Sequence, residues 1–143
     1  MMDLRQLDET TYAAPQLDPE DMAALAADGV TTLICNRPDA EVPPSQRAAA
    51  MQQAAEAAGI AFVFNPVTMP ALTMEAVEEQ AEAIDNADGK VVAYCASGTR
   101  STVLWALASA GQIPTDDILA ATARAGYPLD KLRPQIEALE AAR

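Results

Sequence analysis

The sequence contains no histidine. That absence removes imidazole both as a metal ligand and as a base, so histidine-built zinc sites and Ser-His-Asp or Cys-His catalytic pairs are excluded. Cysteine is nearly absent too: Cys35 and Cys95 are the only two, a usage that fits a reducing compartment with unpaired thiols. Basic residues are few, 9 Lys and Arg against 21 Asp and Glu, for a formal net charge of −12. A polyanion is repelled by such a surface, so neither nucleic acid nor an anionic membrane is expected as a partner. A small anionic substrate stays compatible if a local site supplies backbone N–H groups and a cation. No apolar run approaches the ~20 residues of a membrane span. The opening "MMDLRQLDET" lacks the basic-then-apolar order of a signal peptide, which points to a cytoplasmic location.

What is present is a globular composition: half of the residues are hydrophobic, with 6 Gly and 10 Pro in 143 residues. This length suits a single domain, residues 1–143, with a core from about 10 to 127 and a C-terminal helix over 129–142. The chain alternates β and α signals. Residues 10–16 read as a short edge strand. Asp18, Pro19 and Glu20 open a helix that stops before Gly29. "VTTLIC", Val30 to Cys35, is β-branched and reads as a buried strand. Ser45 is the expected cap of an alanine-rich helix ending near Ala58, and Ile60 to Asn65 is the next strand. Thr73 opens a helix with Met74, Val77, Ala81 and Ile84 on one face and Glu75, Glu78, Glu79 and Glu82 on the solvated other. "VVAY" is a further strand, followed by a helix ending at Gly111. Thr115 is the expected cap of another helix, and Leu129, Leu132, Ile136 and Leu139 form a last amphipathic stripe. Strands alternating with helices imply an α/β fold in three layers, a mostly parallel sheet of about four strands between helices. Ligands in such sheets sit beyond the carboxyl ends of the strands, where the loops 36–44, 66–72 and 95–100 are expected.

One of those loops carries chemistry. In "KVVAYCASGTRS" a strand ends at Cys95, and a helix begins near Arg100. The first N–H groups of that helix lack intrahelical partners, and its dipole places positive potential at the loop. The amides of Ala96, Ser97, Gly98, Thr99 and Arg100 can converge as an anion cradle, with Gly98 supplying the backbone freedom. A cysteine at the base of such a cradle, beside a guanidinium, is favoured as thiolate and is a nucleophile without any histidine. Arg100 can clamp two oxygens of a bound oxyanion, and Ser101 can donate to the sulfur. Cys35 has neither glycine nor cradle after it and reads as structural, with a redox role left open by its position at a strand's carboxyl end. No metal or cofactor is expected.

Four segments, "PQLDPEDMAALAADGVTTLICNRPDAE", "AAGIAFVFNPVT", "AYCASGTRSTVLWALA" and a helix ending "AGY", resemble the beta-lactamase hydrolase-like protein phosphatase-like domain family over Tyr12 to about Tyr127. The resemblance implies the fold of cysteine-dependent tyrosine and dual-specificity phosphatases. It implies Cys95 as the phosphocysteine-forming nucleophile, Arg100 as the phosphate clamp and Ser101 as the hydroxyl that follows. Three departures stand out: four residues rather than five between Cys and Arg, Tyr94 rather than histidine before the cysteine, and no carboxylate in "PVTMPAL" to act as general acid. Asp39 is the expected replacement acid, with Glu41 nearby. The opposing possibility is that Asp39 caps a turn and pairs with Arg37, itself a candidate substrate-binding residue. A loop of this length also resembles that of rhodanese-type sulfurtransferases, whose thiolate becomes a persulfide and needs no acid. Relatives fused to modules resembling persulfide dioxygenases point the same way. The expected function is hydrolysis of phosphomonoesters; the alternatives are sulfur transfer through a Cys95 persulfide, or anion binding without catalysis. The substrate is a phosphate ester or a sulfane sulfur donor accordingly.

Overall fold

A computed structural model describes residues 2–69 and 71–143. Pro70, within the expected 66–72 loop, lies outside them. Five strands, β1 (Arg5–Gln6), β2 (Thr11–Ala14), β3 (Val30–Cys35), β4 (Ala61–Phe64) and β5 (Lys90–Tyr94), form one sheet in the order β1-β2-β5-β3-β4. All neighbours are parallel except β1, which runs antiparallel to β2. The sheet is therefore one strand larger than expected. β2 is not an edge, because the two-residue β1 covers it, and so short a strand leaves no periodicity in the sequence to detect.

The alternation of side chains across each strand divides the core. Leu33, Cys35, Val92, Tyr94 and Ala14 face one side, where α1 (Met22–Ala27) and α2 (Ala48–Ala57) bring Met22, Leu25, Met51 and Ala55 against them. Ile34, Val91 and Ala93 face the other, beside Ala83 and Ile84 of α3 (Met74–Asp85). On that side also pack α4 (Thr99–Ser109), α5 (Thr115–Arg124) and α6 (Arg133–Ala142) around Val103, Leu104, Ile118 and Ile136. The central helix of the layer is α4, buried on every side from Ser101 to Ser109, which explains why its sequence is apolar all round. Among the described residues, no helix is long and apolar enough to cross a membrane.

Several local expectations shift. Ser45 lies in a 3-10 turn, Pro44–Gln46, and α2 begins at Ala48, whose N–H is capped from a distance by Asp39 Oδ1 at 2.7 Å. Thr115 is the first residue of α5 rather than its cap, and it is buried. Thr73 does cap α3, accepting from the Ala76 N–H at 3.2 Å. The buried face of α3 extends to one side of the one expected: Ala76, Val77 and Gln80 are buried, whereas Met74 is 44% exposed. Val77 is buried, and Ala81 and Ile84 pack partly buried against the core as expected; the departures are Met74, which is exposed, and Gln80, a buried glutamine that carries no hydrophobic signal.

Candidate active site

The carboxyl ends of β3, β4 and β5 meet, as the parallel topology requires, and two asparagines fasten them. Asn36 follows β3 and Asn65 follows β4, and both are buried. Asn36 Nδ2 donates to the Asn65 carbonyl at 2.9 Å and to Gln80 Oε1 at 3.0 Å; Asn65 Nδ2 donates to the Ala76 carbonyl at 2.9 Å. Along the backbone, the Asn36 N–H donates to the Tyr94 carbonyl and the Asn65 N–H to the Cys35 carbonyl, each at 2.8 Å. Buried polar groups are costly unless paired, and this network satisfies them while tying the carboxyl ends of β3, β4 and β5 to α3. Sequence reasoning missed it; the available signal was that two apolar strands each end in asparagine.

Ser101 belongs to this network. It is buried, and its hydroxyl donates to Asn36 Oδ1 at 2.8 Å. It therefore does not donate to the sulfur, contrary to expectation; the asparagine carbonyl is the stronger acceptor within its reach.

The loop from Cys95 to Arg100 is held at both ends. The Cys95 N–H donates to the Ala14 carbonyl at 3.3 Å and the Gln16 N–H to the Ala96 carbonyl at 3.2 Å, so β2 continues alongside it. Cys95 is 1% exposed, and its Sγ points into the loop, accepting the Gly98 N–H at 3.1 Å. Gly98 is in the left-handed region at φ 97°, which favours glycine, and its carbonyl accepts the Thr102 N–H at 3.0 Å and hydroxyl at 2.7 Å. Ser97 and Thr99 share a hydroxyl contact at 3.0 Å on the exposed rim. Among the described residues, the N–H groups of Ala96, Ser97, Arg100 and Ser101 meet no protein acceptor, and so they remain free to serve an anion.

Arg100 is fixed from outside the loop. Its Nη1 and Nη2 donate to Glu41 Oε2 and Oε1 at 2.9 and 2.8 Å, and Nη1 also donates to the Val67 carbonyl at 3.0 Å. Glu41 from the loop after β3 and Val67 from the loop after β4 thus converge on Arg100. A guanidinium has five N–H donors in a fixed fork. The end-on pair to Glu41 leaves the Nε edge without an oxygen acceptor among the described residues, and that edge suits a second bidentate acceptor; Glu41 first, and in part the nearby Cys95 sulfur, raise the Arg100 pKa against burial. Arg37 Nε reaches the same Glu41 Oε1 at 3.1 Å, and its Nη1 donates to Gln16 Oε1 at 3.3 Å. Two guanidiniums around one carboxylate give a local excess of positive charge on an acidic protein. Arg100, foremost, and Arg37 hold the Glu41 carboxyl below the usual carboxylate range against a smaller opposing effect of burial. Glu41 therefore stays ionised at neutral pH and is poorly suited to donate a proton.

The structure brings Arg37 to Glu41 rather than to Asp39, whose carboxylate caps α2. Cys35 is buried beside Tyr94, its register partner on β5; its thiol donates to the Arg37 carbonyl at 3.4 Å, and burial pushes the thiol up in pKa. Gln16 and Glu41 are site residues that the sequence did not single out as ligands of the arginines. An open depression of about 440 Å³, lined in part by Asp8, Trp105 and Arg124, lies at the amino end of β2, away from the cysteine loop.

The sequence model of the family described as beta-lactamase hydrolase-like protein, phosphatase-like domain, matches residues 3–112. The chain is 30% identical over 132 residues to a beta-lactamase hydrolase-like protein of Xylella fastidiosa, covering 91% of this chain and 31% of that protein. It thus spans about a third of the length of that curated relative. A crystal structure of a candidate phosphatase from Neisseria meningitidis is 35% identical, with a TM-score of 0.83 over 97% of this chain and 99% of the other. Tk-PTP, crystallised in its active form, superimposes with a TM-score of 0.78 at 16% identity, covering 99% of this chain and 98% of its own, and so shares the fold.

Proposed function

The chain belongs to the beta-lactamase hydrolase-like protein phosphatase-like domain family, and on that premise we propose that it is a cysteine-dependent hydrolase of small phosphomonoesters. The observation that carries the proposal is the Cys95 sulfur turned into its loop to receive the Gly98 N–H, beside an Arg100 whose outer face is taken by Glu41. In this reading the free amides of the loop and the Nε edge of Arg100 bind three phosphoryl oxygens. The Cys95 thiolate attacks phosphorus, forming a P–S bond as the ester P–O bond breaks, and the leaving oxygen takes its proton from water. A second water then attacks the phosphocysteine, releasing inorganic phosphate and returning the thiolate. With Glu41 held as an anion and Asp39 engaged at a helix terminus, aryl phosphates, which leave without help, are the favoured substrates; general acid assistance is worth ~10²–10⁴ in rate.

The four-residue spacing between Cys95 and Arg100 favours sulfur transfer as the second reading, because a persulfide needs no acid. One paired assay separates the three possibilities: an aryl phosphate in one arm, thiosulfate with cyanide in the other, each with the wild type and Cys95→Ser. Phosphate release that disappears in Cys95→Ser is the expected result. Thiocyanate formation alone overturns the phosphatase reading in favour of sulfur transfer, and turnover in neither arm leaves anion binding as the function.

A further inference from the structure

Tyr127, just beyond α5, is 7% exposed and touches the cysteine loop from a side that the mechanism does not use. Its hydroxyl donates to the Ser97 carbonyl at 2.9 Å. The next atom along is the Gly98 nitrogen, whose N–H reaches Cys95 Sγ at 3.1 Å. Both groups belong to one peptide unit. A trans peptide is planar, with its C=O and N–H pointing in opposite directions, so the phenol, the carbonyl, the amide and the sulfur form one relay: O–H to O=C, then N–H to S. Donation into the carbonyl draws electron density from the amide and strengthens it as a donor. It also fixes orientation. Glycine accepts either sign of φ at little cost, so the 97–98 peptide alone has little to stop it from turning its N–H away from the sulfur. The phenol supplies that restraint, and its approach is so close that a Cβ on residue 98 would overlap the Tyr127 hydroxyl.

Tyr127 is in turn held from behind. Its N–H donates to the Thr122 carbonyl at 2.8 Å. The Arg5 guanidinium sits 5.3 Å from its ring centroid while Arg5 Nη1 donates to the Ala125 carbonyl at 3.2 Å. Gly126 makes room for this arrangement, since a Cβ there would strike Arg5. Burial raises the pKa of the phenol, so it remains a donor through the neutral range.

We propose that Tyr127 is a positioning residue for Cys95: its hydroxyl fixes the Ser97–Gly98 peptide with the amide aimed at the sulfur, and thereby sets how readily the sulfur reacts. The proposal rests on the reading of Cys95 as a thiolate nucleophile. The other titratable or charged groups facing the sulfur are Arg100 of α4, with Glu41 and Arg37 behind it from the loop after β3, and Cys35 of β3; the Tyr127→Phe substitution leaves all of them in place. The test is the rate of Cys95 alkylation by iodoacetamide across neutral to alkaline pH, followed on the Cys95 peptide by mass so that Cys35 is counted separately. The phenylalanine keeps the ring, and a thermal melt checks that the variant is folded. Tyr127→Phe is expected to slow alkylation at neutral pH by about 3- to 10-fold, the worth of one hydrogen bond, with an unchanged limiting rate at alkaline pH. Superimposable profiles overturn the proposal, as does an equal loss at every pH, which marks altered access alone. A wild type that is itself unreactive at neutral pH sinks the thiolate reading independently, and Tyr127 with it.

Discussion

At the scale of single residues, the account turns on which partners each charged group keeps. Glu41 binds the end of the Arg100 fork, and in the proposed mechanism the Nε edge takes the oxyanion. Glu41→Gln is therefore expected to loosen Arg100 and lower kcat/KM on an aryl phosphate a few-fold, about 1 kcal/mol for a pair of this partial exposure; steady-state kinetics checks it, and unchanged kinetics contradicts it. The same pair carries a pH signature. The folded-state pKa of Glu41 lies below its ordinary 4.5, with Arg100 the main cause. Its contribution to stability is complete above 4.5 and is lost as the pH falls through the lowered value. The melting-temperature difference between wild type and Glu41→Gln should thus be present at neutral pH and shrink in acid. A difference that grows in acid has the wrong sign for this ion pair. Asp39 is a separate case. Asp39→Asn keeps an oxygen acceptor for the Ala48 N–H but removes an acid, so turnover and its dependence on pH are expected to be unchanged. A wild-type profile that falls at alkaline pH, with that fall removed in Asp39→Asn, assigns the proton to Asp39.

At the scale of elements, the loops count for more than the regular segments. Asp39→Ala, unlike Asp39→Asn, strips α2 of its remote cap and is expected to cost about 0.5–2 kcal/mol in denaturant unfolding; an unchanged midpoint shows the cap to be dispensable. This element also marks where sequence reading stops. β3 is found at Val30–Cys35 as its β-branched run suggested, and the Thr73 cap of α3 is where expected, because both signals lie within a few adjacent residues. The cap of α2 comes from nine residues upstream, and the antiparallel β1 has two residues. Neither leaves a local pattern. The buried glutamine of α3 is invisible for another reason: Gln80 is apolar in position but polar in chemistry, and only its partners Asn36 and Asn65 explain it.

At the scale of the whole molecule, a strongly acidic chain carries a small basic centre at the carboxyl end of its sheet. The loop that carries the candidate site was singled out from strand order logic and from one cysteine followed by glycine and arginine. The internal wiring was not, since Glu41 and Gln16 reach the arginines and Tyr127 reaches the cysteine loop from separate parts of the chain. The central claim, a covalent phosphoryl intermediate on Cys95, is tested most directly by rapid acid quench of the protein mixed with an aryl phosphate, followed by mass analysis of the Cys95 peptide. The account predicts a peptide heavier by one phosphoryl group on Cys95, absent without substrate. Steady release of phosphate with Cys95 unmodified at every quench time, and undiminished in Cys95→Ser, contradicts it.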